Sequence, residues 1–325
     1  MRAIVFEEHG GPEKLLIQNL PDPTPKPGHV VIEVRGFGVN HAETRMRKGE
    51  WGEAVKVSGI ECVGLVKVDP DGQLAKGQKV AALMGGMGRT IFGSYAEYTS
   101  VPRTNVVKID SDLPWAELAA IPESYATAWT CLHRNLALNR GQTLLLRGAT
   151  SALGQAALNL ASDAGVRVIA TTRKPERITA LETLGATHVV LEGSELSRRV
   201  REIQSEGVDS VLELVGNSTL LDSLCSVKRG GRVCIAGFLG GLSPIPSFNP
   251  LLQMPSDVQL SFFGSFVFGT PEFPLSDVPL QEIVDRAASG SYKAKPAKVF
   301  PFDQIQDAHR LMESNQANGK IVVTI

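Results

Sequence analysis

The chain has 325 residues, of which 43% are apolar and 21% charged, and its formal net charge is −1. This length exceeds the roughly 250–300 residues that one hydrophobic core usually supports, so the sequence predicts two domains. Nucleic acids and anionic membranes are not expected as partners, because both require a concentrated basic surface and the sequence has no extended run of Lys or Arg.

The sequence also predicts a cytoplasmic protein. The first ten residues, MRAIVFEEHG, lack the apolar segment of a secretory signal peptide. The longest uncharged stretch, residues 233–256, contains four prolines and three glycines, so it cannot form one membrane-spanning helix. The cysteines at positions 62, 131, 225 and 234 form no Cys-x-x-Cys motif, which favours buried thiols of a reducing compartment over a zinc-binding lobe.

Up to about residue 120 the sequence favours a β-rich domain. Short runs with strand composition are separated by turn segments such as PDPTPKPG and DPDG. These runs are RAIVF, HVVIEVRGFGV, ECVGLVKV, QKVAAL and SYAEYTSV. The C-terminal part returns to short strands, AKVFPF and GKIVVTI, with a helix predicted over 303–314 between them. We expect this tail to complete the first domain.

Between these two parts, strands alternate with helices. The apolar runs TLLLRG, VRVIATT, HVVL and VDSVLELVG each precede a predicted helix, over 152–164, 175–184, 195–205 and 218–227. Two more strands, GRVCIAG and VQLSFFGSFVF, follow. This alternation is typical of a parallel sheet covered on both faces. The predicted fold is α/β, with a doubly wound parallel-sheet (Rossmann) domain at 123–266 inserted into a split β-rich domain at 1–122 and 267–325.

The turn GATSALG, which joins the first of these strands to its helix, is the candidate phosphate-binding loop. A helix N-terminus binds a pyrophosphate because free backbone N–H groups and the helix dipole both favour an anion. Ala and Ser are the smallest replacements for the usual glycines, Gly154 keeps the position where helix and strand pack, and Ser151 adds a hydroxyl. The predicted coenzyme-binding residues of this loop are Ala149, Thr150, Ser151, Ala152, Leu153 and Gly154.

The end of the second strand indicates which nucleotide is bound. A site for NAD usually places Asp or Glu there to bind the ribose hydroxyls. Here the tip reads Thr171-Thr172-Arg173-Lys174, with Arg177 one turn further on, and two basic side chains beside small hydroxyls suit a 2′-phosphate. A solvated Arg/Lys pair at a helix start is the alternative interpretation. The sequence therefore favours NADP(H), with contacts from Thr171, Thr172, Arg173 and Arg177.

Several further motifs give the chain a resemblance to a known superfamily over essentially its whole length. They are GVNHAETRMRKGEW, GIECVG, GSYAEY, ATAW, LELVG, GGRVCIAG and the terminal GKIVV. With GATSALG, these motifs resemble the medium-chain dehydrogenase/reductase superfamily, and in particular its zinc-free quinone oxidoreductases. The resemblance implies that the split β-rich domain is GroES-like.

The resemblance also implies that no metal takes part in catalysis. Zinc alcohol dehydrogenases have a cysteine where this chain has Asn40, and their glycine-histidine-glutamate motif appears here as Gly59-Ile60-Glu61. A third ligand is expected near 123–125, where the residues are Glu, Ser and Tyr, and the cysteine-rich structural lobe near 80–95 is replaced by LMGGMGRTIFGS. A zinc-independent enzyme needs an electron-poor acceptor, because no Lewis acid polarises the carbonyl.

The predicted activity is therefore hydride transfer from NADPH to a quinone or an α,β-unsaturated carbonyl. Candidate catalytic residues are Asn40, in the former ligand position, together with Arg45 and Trp51, which stand where related reductases often have tyrosines. Trp51 offers a flat face for a planar acceptor, whereas a packing aromatic and a solvated Arg45 are the alternatives.

Further coenzyme contacts are expected at strand ends and by the resemblance. Small or apolar residues at the strand ends allow the nicotinamide ring to lie flat. The strand-end residues are Val215, Gly216, Ala236, Gly237, Phe263 and Ser265, and the resemblance adds Thr127, Asn318 and Lys320.

Two other functions remain open from the sequence. An enoyl-thioester reductase would need a basic patch for the phosphopantetheine, which Arg45, Arg47 and Lys48 can supply. Alternatively, the fold serves as an NADPH-binding structural or regulatory module with little turnover. The apolar strand VQLSFFGSFVF has no obvious edge protection, so we also expect a homodimer that continues the sheet.

Overall fold

The computed structural model describes residues 1–52 and 54–325. The chain forms two compact units, one comprising Met1–Ala126 with Ser265–Ile325 and the other Thr127–Gly264. No helix in the described residues combines the length and the apolar character needed to cross a bilayer.

The first unit begins with short strands and two short helices. Its elements before the crossing to the second unit are β1 (Arg2–Val5), β2 (Leu16–Asn19), β3 (His29–Val39), α1 (His41–Lys48), β4 (Glu61–Val68), β5 (Lys79–Leu83), β6 (Tyr98–Pro102), β7 (Val106–Lys108) and α2 (Trp115–Leu118). Helix α3 (Pro122–Thr130) contains the crossing point of the chain. The predicted β-rich character of this part is confirmed.

The second unit alternates strands and helices. Its elements are β8 (Thr143–Arg147), α4 (Ala152–Asp163), β9 (Arg167–Thr172), α5 (Ile178–Thr183), β10 (His188–Leu191), α6 (Leu196–Ile203), β11 (Val208–Glu213), α7 (Leu220–Ser226), β12 (Val227–Ile235), α8 (Pro250–Gln253) and β13 (Gln259–Phe262). The six strands pair in parallel, in the order β10-β9-β8-β11-β12-β13. Counted within the unit, this is the order 3-2-1-4-5-6 of dinucleotide-binding folds, which confirms the predicted doubly wound sheet.

The chain then returns to the first unit through α9 (Leu280–Ala288), β14 (Lys298–Pro301), α10 (Ile305–Glu313) and β15 (Ile321–Thr324). Strand β15 pairs with both β14 and β3, and the resulting seven-stranded sheet follows the path β14-β15-β3-β4-β5-β7, with β6 also paired to β3. The C-terminal tail therefore completes the β-rich unit, as its sequence predicts.

Each unit has its own apolar core. The core of the first unit contains Ile4, Ile32, Phe37 and Tyr95, all with no more than traces of exposed surface. Strands β8 and β11 are buried over most of their length, as expected for central strands of a parallel sheet covered on both faces.

The last strand of the second unit is shorter than the sequence predicts. The run VQLSFFGSFVF favours a strand to residue 268, but β13 ends at Phe262 and a 3-10 turn follows at Ser265–Val267. Its only neighbour among the described strands is β12, which ends at Ile235 after pairing that residue with Phe262. Beyond this point an edge strand has no ladder partner, so apolar composition alone does not extend it.

Candidate functional site

The turn after β8 in the second unit has the geometry of a capped helix N-terminus. The Ser151 hydroxyl accepts the Gly154 N–H at 3.0 Å and donates to the Gly148 carbonyl at 2.9 Å. Ser151 is therefore the N-cap of α4. The sequence predicts a hydroxyl donor at Ser151, and in the structure that hydrogen holds the turn itself.

Small residues in this turn are required by close backbone packing. A Cβ at Gly154 would lie 2.5 Å from the Gly148 carbonyl oxygen, and Gly148 has φ +81°. Ala149 is fully buried. Because the first turn of a helix leaves amides without intrahelical acceptors, and Ser151 satisfies that of Gly154, the amides of Ala152 and Leu153 are the candidates for holding an anion.

The tip of β9 lies beside this turn. The Thr171 hydroxyl accepts the Gly148 N–H at 3.3 Å, and the Thr172 hydroxyl accepts the Lys174 N–H at 3.2 Å. Both threonines are buried. Thr171 therefore joins the strand end to the turn, whereas Thr172 holds the backbone that follows the strand.

Two arginines at the same tip differ in their surroundings. Arg177 is half-buried and donates to the Thr150 hydroxyl at 3.3 Å, whereas Arg173 is exposed. The guanidinium of Arg177 therefore joins the phosphate-binding turn to the basic segment that follows β9. This arrangement places positive charge where a phosphorylated ribose is expected.

A buried ionic cluster under the strand ends was not found by sequence reasoning. Arg147, 1% exposed at the end of β8, lies 3.0 Å from Asp222, 3.8 Å from Glu213 and in contact with Glu192. Burial raises the pKa of Glu213, although Arg147 opposes this shift. The sequence does contain a signal for this cluster, because Arg147 and Glu213 are charged residues that directly follow the apolar residues of β8 and β11.

Glu213 in this cluster shapes a turn that the sequence assigns to the coenzyme. Its carboxylate accepts the backbone N–H of Val215 at 2.6 Å and of Gly216 at 2.9 Å. Gly216 has φ +99°, and a Cβ there would lie 2.9 Å from the Gly237 carbonyl oxygen. Gly216 and Gly237 are thus needed for the two strand-end turns to pack together. This requirement holds whether or not a nicotinamide ring binds there.

The other residues assigned to the coenzyme are dispersed. Thr127 and Phe263 are buried, and the Phe263 N–H donates to the Ile235 carbonyl at 2.9 Å. Ser265 begins a 3-10 turn, and Asn318 is exposed with φ +52°. Their contacts with a coenzyme stay predictions.

The first unit contains a second buried group of polar side chains, around the Lys320 ammonium. Its nitrogen lies 2.5 Å from the Glu61 carboxylate, 2.7 Å from Asn40 Oδ1 and 3.2 Å from Ser124 Oγ. Lys320 is 5% exposed and Glu61 is fully buried. Gly38 on β3 makes room for this ion pair, because a Cβ there would lie 2.3 Å from both Glu61 and Lys320.

Asn40 links this ion pair to a second buried carboxylate, Glu43. The Asn40 side-chain amide donates to Glu61 at 3.0 Å and to Glu43 at 3.3 Å, and Glu43 also accepts the Asn40 and Ile60 backbone N–H groups. Burial raises the pKa of Glu43 to about 8, with Lys320 opposing and Glu61 reinforcing the shift. Asn40 thus has both of its amide hydrogens directed at carboxylates.

The remaining candidate catalytic residues, half-buried Arg45 and exposed Trp51, lie in the same unit. Arg45 forms an ion pair with Glu50 at 2.7 Å, and Trp51 is 37% exposed. The structure therefore separates Asn40, inside a charge network, from Arg45 and Trp51, whose proposed roles stay predictions.

Arg47 is not part of a basic surface patch, contrary to the sequence-based expectation for an enoyl-thioester site. It is fully buried and donates to the Gly10 carbonyl, to Glu313 and, at 3.4 Å, to His309 Nδ1. Burial, together with the nearby Arg47, lowers the pKa of His309 to about 3. Since His309 Nδ1 accepts from Arg47, its Nε2 carries the hydrogen that Tyr95 Oη accepts at 3.0 Å.

We expect replacement of Glu43 by Gln to flatten the dependence of stability on pH. A carboxyl whose pKa is about 8 when folded, above the ordinary value of 4.5, stabilises the fold fully below about pH 4.5 and loses this contribution as pH rises to 8. Urea unfolding between pH 5.5 and 8.5 should show wild-type stability falling by up to about 1.4 kcal/mol per pH unit relative to Glu43→Gln. Parallel curves for the two proteins would contradict a protonated Glu43.

Curated relatives and solved structures resemble the chain along its full length. Human quinone oxidoreductase is 27% identical over 334 residues, an alignment that covers 100% of this chain and 98% of the relative. A mycobacterial protein solved in complex with NADPH is 26% identical and superposes with a TM-score of 0.89, over 100% of both chains. A structure of an NAD-dependent alcohol dehydrogenase, also 26% identical, superposes with a TM-score of 0.85 over 100% of both chains.

Two family models match consecutive parts of the sequence. Residues 26–111 match the alcohol dehydrogenase GroES-like domain, and residues 152–280 match the zinc-binding dehydrogenase model. The first range lies in the β-rich unit, and most of the second lies in the parallel-sheet unit. From these matches, the strand order and the whole-length relatives, the chain belongs to the medium-chain dehydrogenase/reductase superfamily of oxidoreductases.

Proposed function

We propose that the protein is a zinc-independent, NADPH-dependent reductase that transfers a hydride to a quinone or an α,β-unsaturated carbonyl. The observation that carries the proposal is the capped turn at Ser151 with Arg177 bonded to Thr150 beside it. It combines a helix N-terminus suited to a pyrophosphate with a guanidinium suited to a further phosphate.

The choice of NADPH over NADH rests on the residues of this chain. One similar structure is in complex with NADPH and another is of an NAD-dependent enzyme, so overall likeness does not distinguish the coenzymes. The β9 tip, Thr171-Thr172-Arg173-Lys174, presents no carboxylate for ribose hydroxyls. Exposed Arg173 and half-buried Arg177 instead supply positive charge that suits a 2′-phosphate.

The residues at the former ligand positions do not fit a zinc ion. Ile60 stands where the zinc-dependent motif has its histidine, and Asn40, Glu61 and Ser124 contact the Lys320 ammonium. Zinc prefers Cys and His ligands. Within residues 1–52 and 54–325, no three or more His, Cys, Asp or Glu side chains are grouped to hold a metal. This donor set supports hydride transfer to acceptors that need no Lewis acid.

The proposed chemistry divides between the coenzyme and the chain. A bound reduced nicotinamide supplies the hydride. The turn at Ser151 and the β9 tip orient the nucleotide, and the Glu213-held turn at Val215 and Gly216 supports it through backbone packing. We propose that Asn40, Arg45 and Trp51 contact the acceptor, with Trp51 supplying the exposed aromatic face.

The positions of Arg45, Arg47 and Lys48 argue against the basic patch that the enoyl-thioester alternative requires. Arg47 is buried, and the two other basic residues of the expected patch are paired, Arg45 with Glu50 and Lys48 with Glu313 at 3.5 Å. Paired surface cations attract a phosphopantetheine less strongly than unpaired ones do.

We expect Arg173→Ala and Arg177→Ala to weaken NADPH binding by about 10- to 100-fold each and to leave NADH binding nearly unchanged, because a charge-assisted bond to the 2′-phosphate is lost. Titration calorimetry with both coenzymes measures the difference. Arg198→Ala, which removes an exposed guanidinium from α6 of the same unit, is the matched control. Equal weakening for NADPH and NADH would show that these arginines do not bind the phosphate.

The reductase assignment is tested by single-turnover oxidation of NADPH with a quinone, an enone and an enoyl thioester. We expect rapid oxidation with the first two, because both delocalise the incoming charge. Faster turnover of the thioester would favour the enoyl-thioester reductase. Tight NADPH binding without oxidation by any acceptor would favour a structural or regulatory module.

We also propose a homodimer formed through the edge of the parallel sheet. Strand β13 ends the sheet, Phe262 on it is 54% exposed, and Leu251 and Leu252 of α8 are 87% and 79% exposed. We expect sedimentation velocity at micromolar concentration to show a dimer and the Leu251→Glu/Leu252→Glu variant to shift toward monomer, since charges oppose apolar association. A wild-type monomer under these conditions would contradict the proposal.

A further inference from the structure

The Lys320 ammonium lies among side chains from the three segments in which zinc-dependent members of the superfamily have metal ligands. In zinc-dependent members, ligands are expected at the positions of Asn40, the Gly59-Ile60-Glu61 motif and residues 123–125. The fold brings three side chains from these segments, Asn40, Glu61 and Ser124, into contact with one lysine nitrogen. The three hydrogens of an ammonium match these three acceptors in number.

We propose that the Lys320 ammonium is the built-in cation of the position at which zinc-dependent members hold their metal, and that it is a positioning residue for acceptor reduction. This inference rests on the proposed reductase function. It assigns to a side chain of this protein part of the electrostatic work that a metal does elsewhere. It also accounts for the oxygen acceptors that Asn40, Glu61 and Ser124 present to the ammonium, where a zinc site would need thiolates or imidazoles.

The contact of Lys320 with Asn40 helps to orient the Asn40 side chain. An ammonium only donates hydrogen bonds, so the Asn40 atom beside it must be the carbonyl oxygen. The Asn40 nitrogen then lies toward Glu61 and Glu43, at 3.0 Å and 3.3 Å. Without the ammonium, the Asn40 carbonyl oxygen loses its hydrogen-bond donor, and only the contacts of the amide nitrogen are left to orient the side chain.

The Lys320 ammonium also neutralises the buried Glu61 carboxylate. Glu61 is fully buried, and its carboxylate is held by the Lys320 ammonium, the Asn40 amide and the Glu123 backbone N–H at 2.9 Å. An unpaired buried carboxylate would place negative charge beside Asn40 and oppose the negative charge that develops on a reduced acceptor. Lys320 cancels this charge. The effect should be larger for an enone than for a quinone, because the quinone delocalises more of the incoming charge itself.

This inference differs from the role that the resemblance gives Lys320, which is direct contact with the coenzyme. All three ammonium hydrogens are directed to acceptors within the first unit. A contact with a coenzyme phosphate would require the buried Glu61 pair to open. The two roles predict opposite results for coenzyme affinity and for the rate at saturating coenzyme.

The test compares Lys320→Met, Lys320→Arg and the double variant Lys320→Met/Glu61→Gln. The double variant removes both charges, so it keeps the proposal testable if the single Met variant does not fold around an unpaired Glu61. NADPH affinity by calorimetry, kcat with a quinone and an enone at saturating NADPH, and the thermal midpoint are measured for each. The zinc content of the wild type after incubation with zinc and desalting is measured separately.

We expect folded Lys320→Met to bind NADPH within about threefold of wild type and to lose about 30-fold or more in kcat with the enone, with a smaller loss with the quinone. The double variant leaves no uncompensated charge, so it should lose less with the enone than Lys320→Met, and its remaining loss measures the disturbed orientation of Asn40. A double variant with wild-type rates for both acceptors would contradict that orienting role. Lys320→Arg should recover part of the enone rate, and the wild type should retain no stoichiometric zinc.

Three results would overturn the proposal: a large loss of NADPH affinity with kcat unchanged, equal losses with both acceptors, or stoichiometric zinc in the wild type. Failure of the wild type to reduce any acceptor would instead overturn the proposed function, and the zinc content would still test the identity of the resident cation.

Discussion

The burial of charge is the constraint on which much of this structure depends. Lys320 and Glu61 form a nearly solvent-free ion pair in the β-rich unit, and Arg147 lies among three carboxylates in the parallel-sheet unit. A buried ion without its partner costs several kcal/mol, so each cluster is stable only when strands from distant parts of the chain meet in register. In the β-rich unit, that register includes the pairing of Ile321 with Val39.

In the parallel-sheet unit, the candidate phosphate-binding turn keeps its backbone geometry although some of the usual glycines are replaced. Gly148 keeps the positive φ, Gly154 keeps the close approach of helix to strand, and Ser151 caps the helix. Ala149 and Ala152 then need only be small. Capping the helix and packing it against the strand are separate requirements. Ser151 meets the first, and the second demands a glycine at position 154.

The chemistry that we propose for the β-rich unit depends on an ammonium in place of a metal ion. A zinc ion is a Lewis acid that polarises a carbonyl directly, whereas an ammonium is a hydrogen-bond donor of lower charge density. The polar side chains around Lys320 are oxygen acceptors, which suit an ammonium. A reductase built in this way is suited to acceptors that are already electron-poor.

The sequence by itself determined the local features: the alternating strands and helices, the turn at 148–154, and the basic tip of β9. Each follows from side-chain periodicity or from the backbone needs of a few adjacent residues. It could not show that β13 stops at Phe262, because the length of an edge strand depends on its neighbour. Nor could it show that Lys320 meets Asn40, 280 residues away, or that Arg47 is buried against His309. Those contacts were decided by the tertiary structure, because a local pattern does not specify which distant charge will neutralise a buried one.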